Sequence, residues 1–73
     1  MEQKILELIN IVLQNRGKEK VKKITPKSHL RDDIGFDSLD LAELTVRIEA
    51  EYDIDIFEDG IVSRVGEIYE KLK

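Results

Sequence analysis

Between Asp37 and Glu51 the chain reads DSLDLAELTVRIEAE, with apolar residues at intervals that only a helix gathers onto one side. At about 100° per residue, Leu41, Leu44, Thr45, Ile48 and Tyr52 fall within about 60° of one direction, a stripe fit to face a core. Leu39, Ala42, Val46 and Ala50 make a second stripe at roughly 100–180° from the first. Asp40, Glu43, Glu49 and Glu51 lie beside or between the two. A surface helix needs only one apolar stripe. The second, rimmed by carboxylates, suits a partner with an apolar patch and a basic rim. Scattered apolar residues on an ordinary surface would produce the same pattern.

The start of this helix carries a small nucleophile. In Asp37-Ser38-Leu39-Asp40 the serine stands where backbone N–H groups lack partners and the helix dipole favours an anion. A phosphate esterified to Ser38 would sit in a favourable field. Asp37 or Ser38 acting only as the helix cap is the plainer alternative, since both residue types are preferred caps.

Seventy-three residues allow one small domain, 1–73, with a core that is only just adequate. There is no cysteine, which removes both disulfides and thiolate metal sites. Ile, Leu and Val must therefore hold the fold. No apolar run reaches membrane-spanning length and MEQKILELI lacks the form of a signal peptide, so a cytoplasmic location is expected; the chain is also expected to be a monomer. An isoelectric point near 4.9 argues against nucleic acid as a partner. The charge is uneven: residues 1–30 hold seven Lys/Arg against three Asp/Glu, whereas residues 31–73 hold five against thirteen. From Asp32 to Asp59 eleven acids face one base, Arg47. Such a cluster repels itself, and it would steer basic partners toward the chain or simply keep it soluble.

The rest of the chain completes a small α-bundle. Ile5, Leu8, Ile9 and Val12 predict a helix over Glu2–Gln14, widened by Leu6 and Leu13 and closed by Gly17. Residues 15–37 form a long connection with Val21, Ile24, Leu30, Ile34 and Phe36 spaced along it as anchors. Lys18, Lys20, Lys22 and Lys23 read as its solvated face, and lone His29 as a loop residue. Gly35 offers a left-handed turn or close backbone approach. Asp53-x-Asp55 does not continue as a calcium loop, because Phe57 and Glu58 stand where an acid or amide and a glycine are needed; a looser divalent site among Asp32, Asp33, Asp53 and Asp55 has little behind it. Ile54 and Ile56 are expected to point inward, Phe57–Gly60 to form a short helical turn, and Arg64–Leu72 the last helix, capped by Ser63. Gly66 within that helix costs roughly 1 kcal/mol relative to alanine, so a close neighbour is expected there. The architecture is all-α: three longer helices plus one short one.

Catalysis by this chain alone is not supported. Gly35-Phe36-Asp37-Ser38-Leu39 is not a nucleophile elbow, and the only histidine lies nine residues before the serine.

Ser28-x-Leu30-x-x-Asp33-Ile34-Gly35-x-Asp37-Ser38-Leu39-Asp40, followed by Glu43-Leu44 and Ile48-Glu49-x-Glu51-Tyr52, resembles the acyl carrier proteins of fatty-acid and polyketide synthesis. Val65-Gly66-Glu67 at the last helix extends the resemblance over nearly the whole chain. The resemblance implies that Ser38 accepts 4′-phosphopantetheine from coenzyme A through a phosphopantetheinyl transferase. The thiol of that arm would carry acyl groups as thioesters. It further implies that Asp37, Leu39, Asp40, Glu43, Val46 and Glu49, beside Ala42 of the second stripe, meet basic, apolar-centred patches on acyl-loading, synthase and acyltransferase enzymes. Arg47, Ala50 and Phe57 depart from the most acidic fatty-acid carriers and leave room for a specialised lipid, polyketide or cell-surface pathway. D-alanyl and peptidyl carriers match the serine motif less well. An acidic interaction module without a prosthetic group is the alternative of another class.

Overall fold

The computed structural model describes residues 2–58, 60 and 62–72, which form three α-helices in the order α1 (Glu2–Asn15), α2 (Ser38–Tyr52) and α3 (Val65–Leu72). Among the described residues the sole extended pairing is an isolated antiparallel bridge between His29 and Arg64.

The apolar stripes expected to face the core are the buried ones. Ile5, Leu8, Ile9, Val12 and Leu13 of α1 meet Leu41, Leu44 and Ile48 of α2, and Val65 and Ile68 of α3 close the core. Leu30, Phe36, Ile56 and Val62 complete it from the connecting segments. Of the expected anchors, Leu30 and Phe36 are fully buried, while Val21, Ile24 and Ile34 pack against the rim of the core. A domain this small draws most of its stability from such burial.

Helix α1 ends in a two-bond cap. Gly17, at φ +73°, turns the chain left-handed; its N–H donates to the Gln14 carbonyl (3.0 Å) and the Lys18 N–H to that of Leu13 (2.8 Å). These are the paired bonds of a Schellman motif, which glycine makes without steric penalty. Asn10 ties the next stretch down, exchanging hydrogen bonds with the Val21 backbone at 2.8 and 3.0 Å.

Helix α3 is fastened to the long connection through its first backbone N–H groups. Val65 donates to the Ser28 carbonyl (3.0 Å), Gly66 to that of Pro26 (2.9 Å), and Leu30 donates to the Ser63 carbonyl (2.8 Å). The close neighbour expected at Gly66 is Pro26: a Cβ there would lie 2.8 Å from the Pro26 carbonyl oxygen. Ser63 was expected to cap α3, but the cap is made by Glu67, whose carboxylate reaches back to the N–H groups of Ser63 and Arg64. These bonds from Arg64 and then Ser63 hold the Glu67 carboxyl below its usual range.

Two local expectations need correction. Among the described residues of Phe57–Gly60 the expected turn does not extend into a fourth α-helix: Glu58 donates to the Asp55 carbonyl and Gly60 to that of Phe57, both at 3.2 Å. Asp59 lies outside the described residues. The Asp55 carboxylate accepts the Phe57 N–H at 2.9 Å, a side-chain bond that fixes the start of the turn. Ile56 is buried as expected, but Ile54 is half-buried and outside the core cluster. Left-handed Asp53 (φ 60°), which ends α2 by donating to the Glu49 carbonyl, and the turn at Asp55 together break the two-residue alternation.

Candidate functional site at the start of α2

Asp37, not Ser38, caps α2. Its carboxylate accepts the Asp40 N–H while the Asp40 carboxylate accepts the Asp37 N–H, both at 3.0 Å, which is a reciprocal capping box. Ser38 is therefore the first helical residue, and its side chain is exposed. The bond from Asp40 N–H, followed by the charges of Arg16 and Lys18, lowers the Asp37 pKa against a smaller opposing effect of desolvation.

The sequence placed Asp40 on the docking rim. The structure buries it completely, so its carboxylate is not available to a partner. Lys18 Nζ lies 2.5 Å from Asp40 Oδ2 and also donates to the Gly35 carbonyl at 2.9 Å. Arg16 Nε lies 3.0 Å from Asp40 Oδ1, but no N–H is aligned on that oxygen, so the attraction there is Coulombic rather than a hydrogen bond. The second arm of Arg16 reaches Asp37 Oδ2 at 3.2 Å. Gly17 makes this convergence work: the left-handed turn at the end of α1 brings its two flanking cations onto one carboxylate. Lys18 is accordingly a partner of the site rather than part of a solvated face, whereas Lys20, Lys22 and Lys23 are exposed. Gly35, at φ +93° with open space where a Cβ would stand, is needed for its left-handed backbone and not for close approach.

Arg31 is the third cation, and the sequence reading passed over it. Asp33 and Ile34 both donate to the His29 carbonyl (2.9 and 3.1 Å), forming a single helical turn. The Asp33 carboxylate accepts the His29 N–H at 2.7 Å, and His29 Nδ1 accepts the N–H groups of Arg31 and Asp32 at 3.2 Å each. His29 thus spends its free nitrogen on a local turn. From this turn Arg31 Nη2 donates to Ser38 Oγ at 2.9 Å. Among the described residues no group of three or more His, Asp or Glu side chains is placed to share a metal ion.

The residues fit a phosphate ester on Ser38. The oxygen is exposed, a guanidinium stands beside it, and the carboxylates of Asp37 and Asp40 are already engaged by Arg16 and Lys18. An added phosphate would not face bare acids.

The second stripe is exposed, with Leu39 and Val46 at 64% and 68% and Ala42, Glu49 and Ala50 also at the surface. Glu43 borders it but is partly withdrawn. Asn15 Nδ2 and Arg47 Nε each donate to its Oε2 at 2.9 Å, and these bonds, Asn15 first, lower its pKa. No described helix is long and apolar enough to cross a membrane.

Comparison with known proteins identifies one family. The family described as "Phosphopantetheine attachment site" matches residues 3–65. An acyl carrier protein of Syntrophus aciditrophicus (strain SB) is 32% identical over 75 aligned positions, covering 100% of this chain and 89% of that protein. One from Syntrophobacter fumaroxidans (strain DSM 10017 / MPOB) is 32% identical over 69, covering 92% and 84%. No solved structure gives a significant match. The chain belongs to the acyl carrier protein family: it is a carrier with a covalent 4′-phosphopantetheine group, not an enzyme.

Proposed function

We propose that residues 1–73 act as one carrier domain in which the Ser38 hydroxyl is the attachment point of the 4′-phosphopantetheine arm. The carrying observation is that hydroxyl itself: exposed, first in α2, and hydrogen-bonded to Arg31. The arm supplies the thiol that the cysteine-free chain lacks, and acyl groups travel on it as thioesters. The chain's own part is to present the arm and to be recognised. Leu39, Ala42 and Val46 form the apolar centre of the docking face, with Asp37, Glu43 and Glu49 as its acidic rim. The partners are the phosphopantetheinyl transferase with coenzyme A, then acyl-loading, synthase and acyltransferase enzymes bearing basic patches. Arg47, by engaging Glu43, reduces the free negative charge of α2. That observation favours a dedicated carrier of a specialised lipid, polyketide or cell-surface pathway over a general fatty-acid carrier.

Intact mass after incubation with coenzyme A and a broad-specificity transferase tests the site. Wild type gains one arm and Ser38→Ala gains none while keeping its helical content; full modification of the alanine variant overturns the assignment. Docking is tested in the same assay. Glu49→Lys slows modification and makes its decline with salt shallower, because it removes attraction that salt would otherwise screen as the Debye length shrinks from about 10 Å at 0.1 M to about 3 Å at 1 M. Glu7→Lys, on the outer groove of α1, leaves the rate near wild type. Equal slowing by both places docking elsewhere.

A further inference from the structure

The turn that presents Arg31 is more elaborate than an exposed loop needs. His29 contributes its carbonyl, its N–H and its ring nitrogen, and Asp33 contributes its carboxylate, to a turn whose outward product is one guanidinium 2.9 Å from Ser38 Oγ. For an unmodified serine this is a weak bond to a neutral hydroxyl at the surface. Modification changes the acceptor. Ser38 Oγ–H is replaced by Oγ–P, the pyrophosphate P–O bond of coenzyme A breaks, the adenosine bisphosphate leaves with that oxygen, and the hydroxyl proton is released. The bridging ester oxygen becomes a poor acceptor, while two non-bridging oxygens sharing one negative charge appear about one covalent bond further out. A guanidinium donates to such oxygens through a planar fork, and a bond to an ionised acceptor is roughly twice as strong as a neutral one.

We propose that Arg31 is the phosphate-holding residue of the arm: its guanidinium passes its hydrogen bond from the Ser38 hydroxyl to a non-bridging oxygen of the phosphodiester once the arm is attached. The inference rests on Ser38 being the attachment point. Asp37 and Asp40 do not compete for Arg31, because Arg16 and Lys18 already engage them. The consequence is directional. The root of the arm is held toward the 29–34 turn, so the arm leaves the protein on a restricted heading, and loading the arm stabilises the fold.

The test uses the whole chain in its apo and arm-bearing forms, as wild type, Arg31→Lys and Arg31→Gln. Peptide mass mapping first locates the arm; an arm found elsewhere than Ser38 defeats the site assignment and is scored separately. With the arm on Ser38, the ³¹P resonance of R31Q is displaced from wild type and narrower, R31K lies between, and rising salt moves wild type toward R31Q. The thermal midpoint rises on arm attachment in wild type, and R31Q loses that rise. Wild type alone supplies a reading that depends on no variant: the Arg31 guanidinium ¹⁵N–¹H signals shift and their protons exchange more slowly when the arm is loaded. Arg31 signals unchanged on loading, with ³¹P signals identical in wild type and R31Q, overturn the proposal.

Discussion

Asp40 is the residue on which the carrier site turns, and its neighbours are unequal. Its carboxylate is fully buried, whereas Arg16 and Lys18 are each about one-third exposed. Removing the acid leaves two cations free to hydrate; removing the cations leaves a carboxylate that cannot. Asp40→Ala should therefore cost about 1–3 kcal/mol, the value of a cap and a charged hydrogen bond. The double variant Arg16→Ala/Lys18→Ala should cost about 3–5 kcal/mol, as for stranding a buried charge. Urea denaturation of the two proteins checks the order. The sequence made the serine legible because its cues are local, a small nucleophile opening an amphipathic helix. It misassigned Asp40 because helical periodicity assigns a residue an angle but not a tertiary partner. Arg16 and Lys18 stand 24 and 22 positions earlier in the chain, and what aims them is the backbone hand of Gly17.

Helices α1, α2 and α3 followed their apolar spacing to within one residue at each boundary, since burial of one face decides both their existence and their rotation. After α2 the described residues make only turns where a short helix is expected, and the Asp55 side chain holds the first of them by accepting the Phe57 N–H. Gly66 was correctly read as a contact position, and the contact is backbone. Gly66→Ala gains helix propensity of roughly 1 kcal/mol but drives a Cβ to 2.8 Å from the Pro26 carbonyl oxygen. That carbonyl also accepts the Gly66 N–H and cannot yield without lengthening the bond. We expect net destabilisation of about 1–2 kcal/mol, because overpacking typically costs about 1–3 kcal/mol. A lowered thermal midpoint for G66A, with no loss of α3 helicity at low temperature, is the expected result.

For the molecule as a whole, charge and proton binding are coupled. Asp37, Glu43 and Glu67 titrate below their ordinary values of 3.8, 4.5 and 4.5 in the folded protein, chiefly through hydrogen bonds to their charged forms. Between folded and unfolded pKa values the unfolded chain holds more protons, so stability rises with pH across that window. The contribution is complete above the unfolded values and is lost as pH falls through the folded ones. The urea midpoint should thus be insensitive to these groups from about pH 7 to 5.5 and should decline below about pH 4.5. Glu43→Gln, which keeps the shape but removes the titration, should make the decline shallower.

The bonds that fasten α3 to the long connection also decide how the chain is threaded. Leu30 to Ser63, Ser28 to Val65 and Pro26 to Gly66 join two distant stretches, and everything between them, α2 included, becomes the interior of a closed ring of backbone. In polymer terms the neck of that ring is drawn shut at an entropic cost of roughly 3 kcal/mol by the (3/2)RT ln n rule. Once shut, it removes most of the configurations through which α2 and the turn bearing Arg31 would otherwise unravel. The serine therefore sits on a segment whose order is secured at a knot of three backbone bonds belonging to neither the serine's helix nor its cap. A disturbance at Pro26 or Gly66 is felt at Ser38 as lost confinement, with no contact between them required.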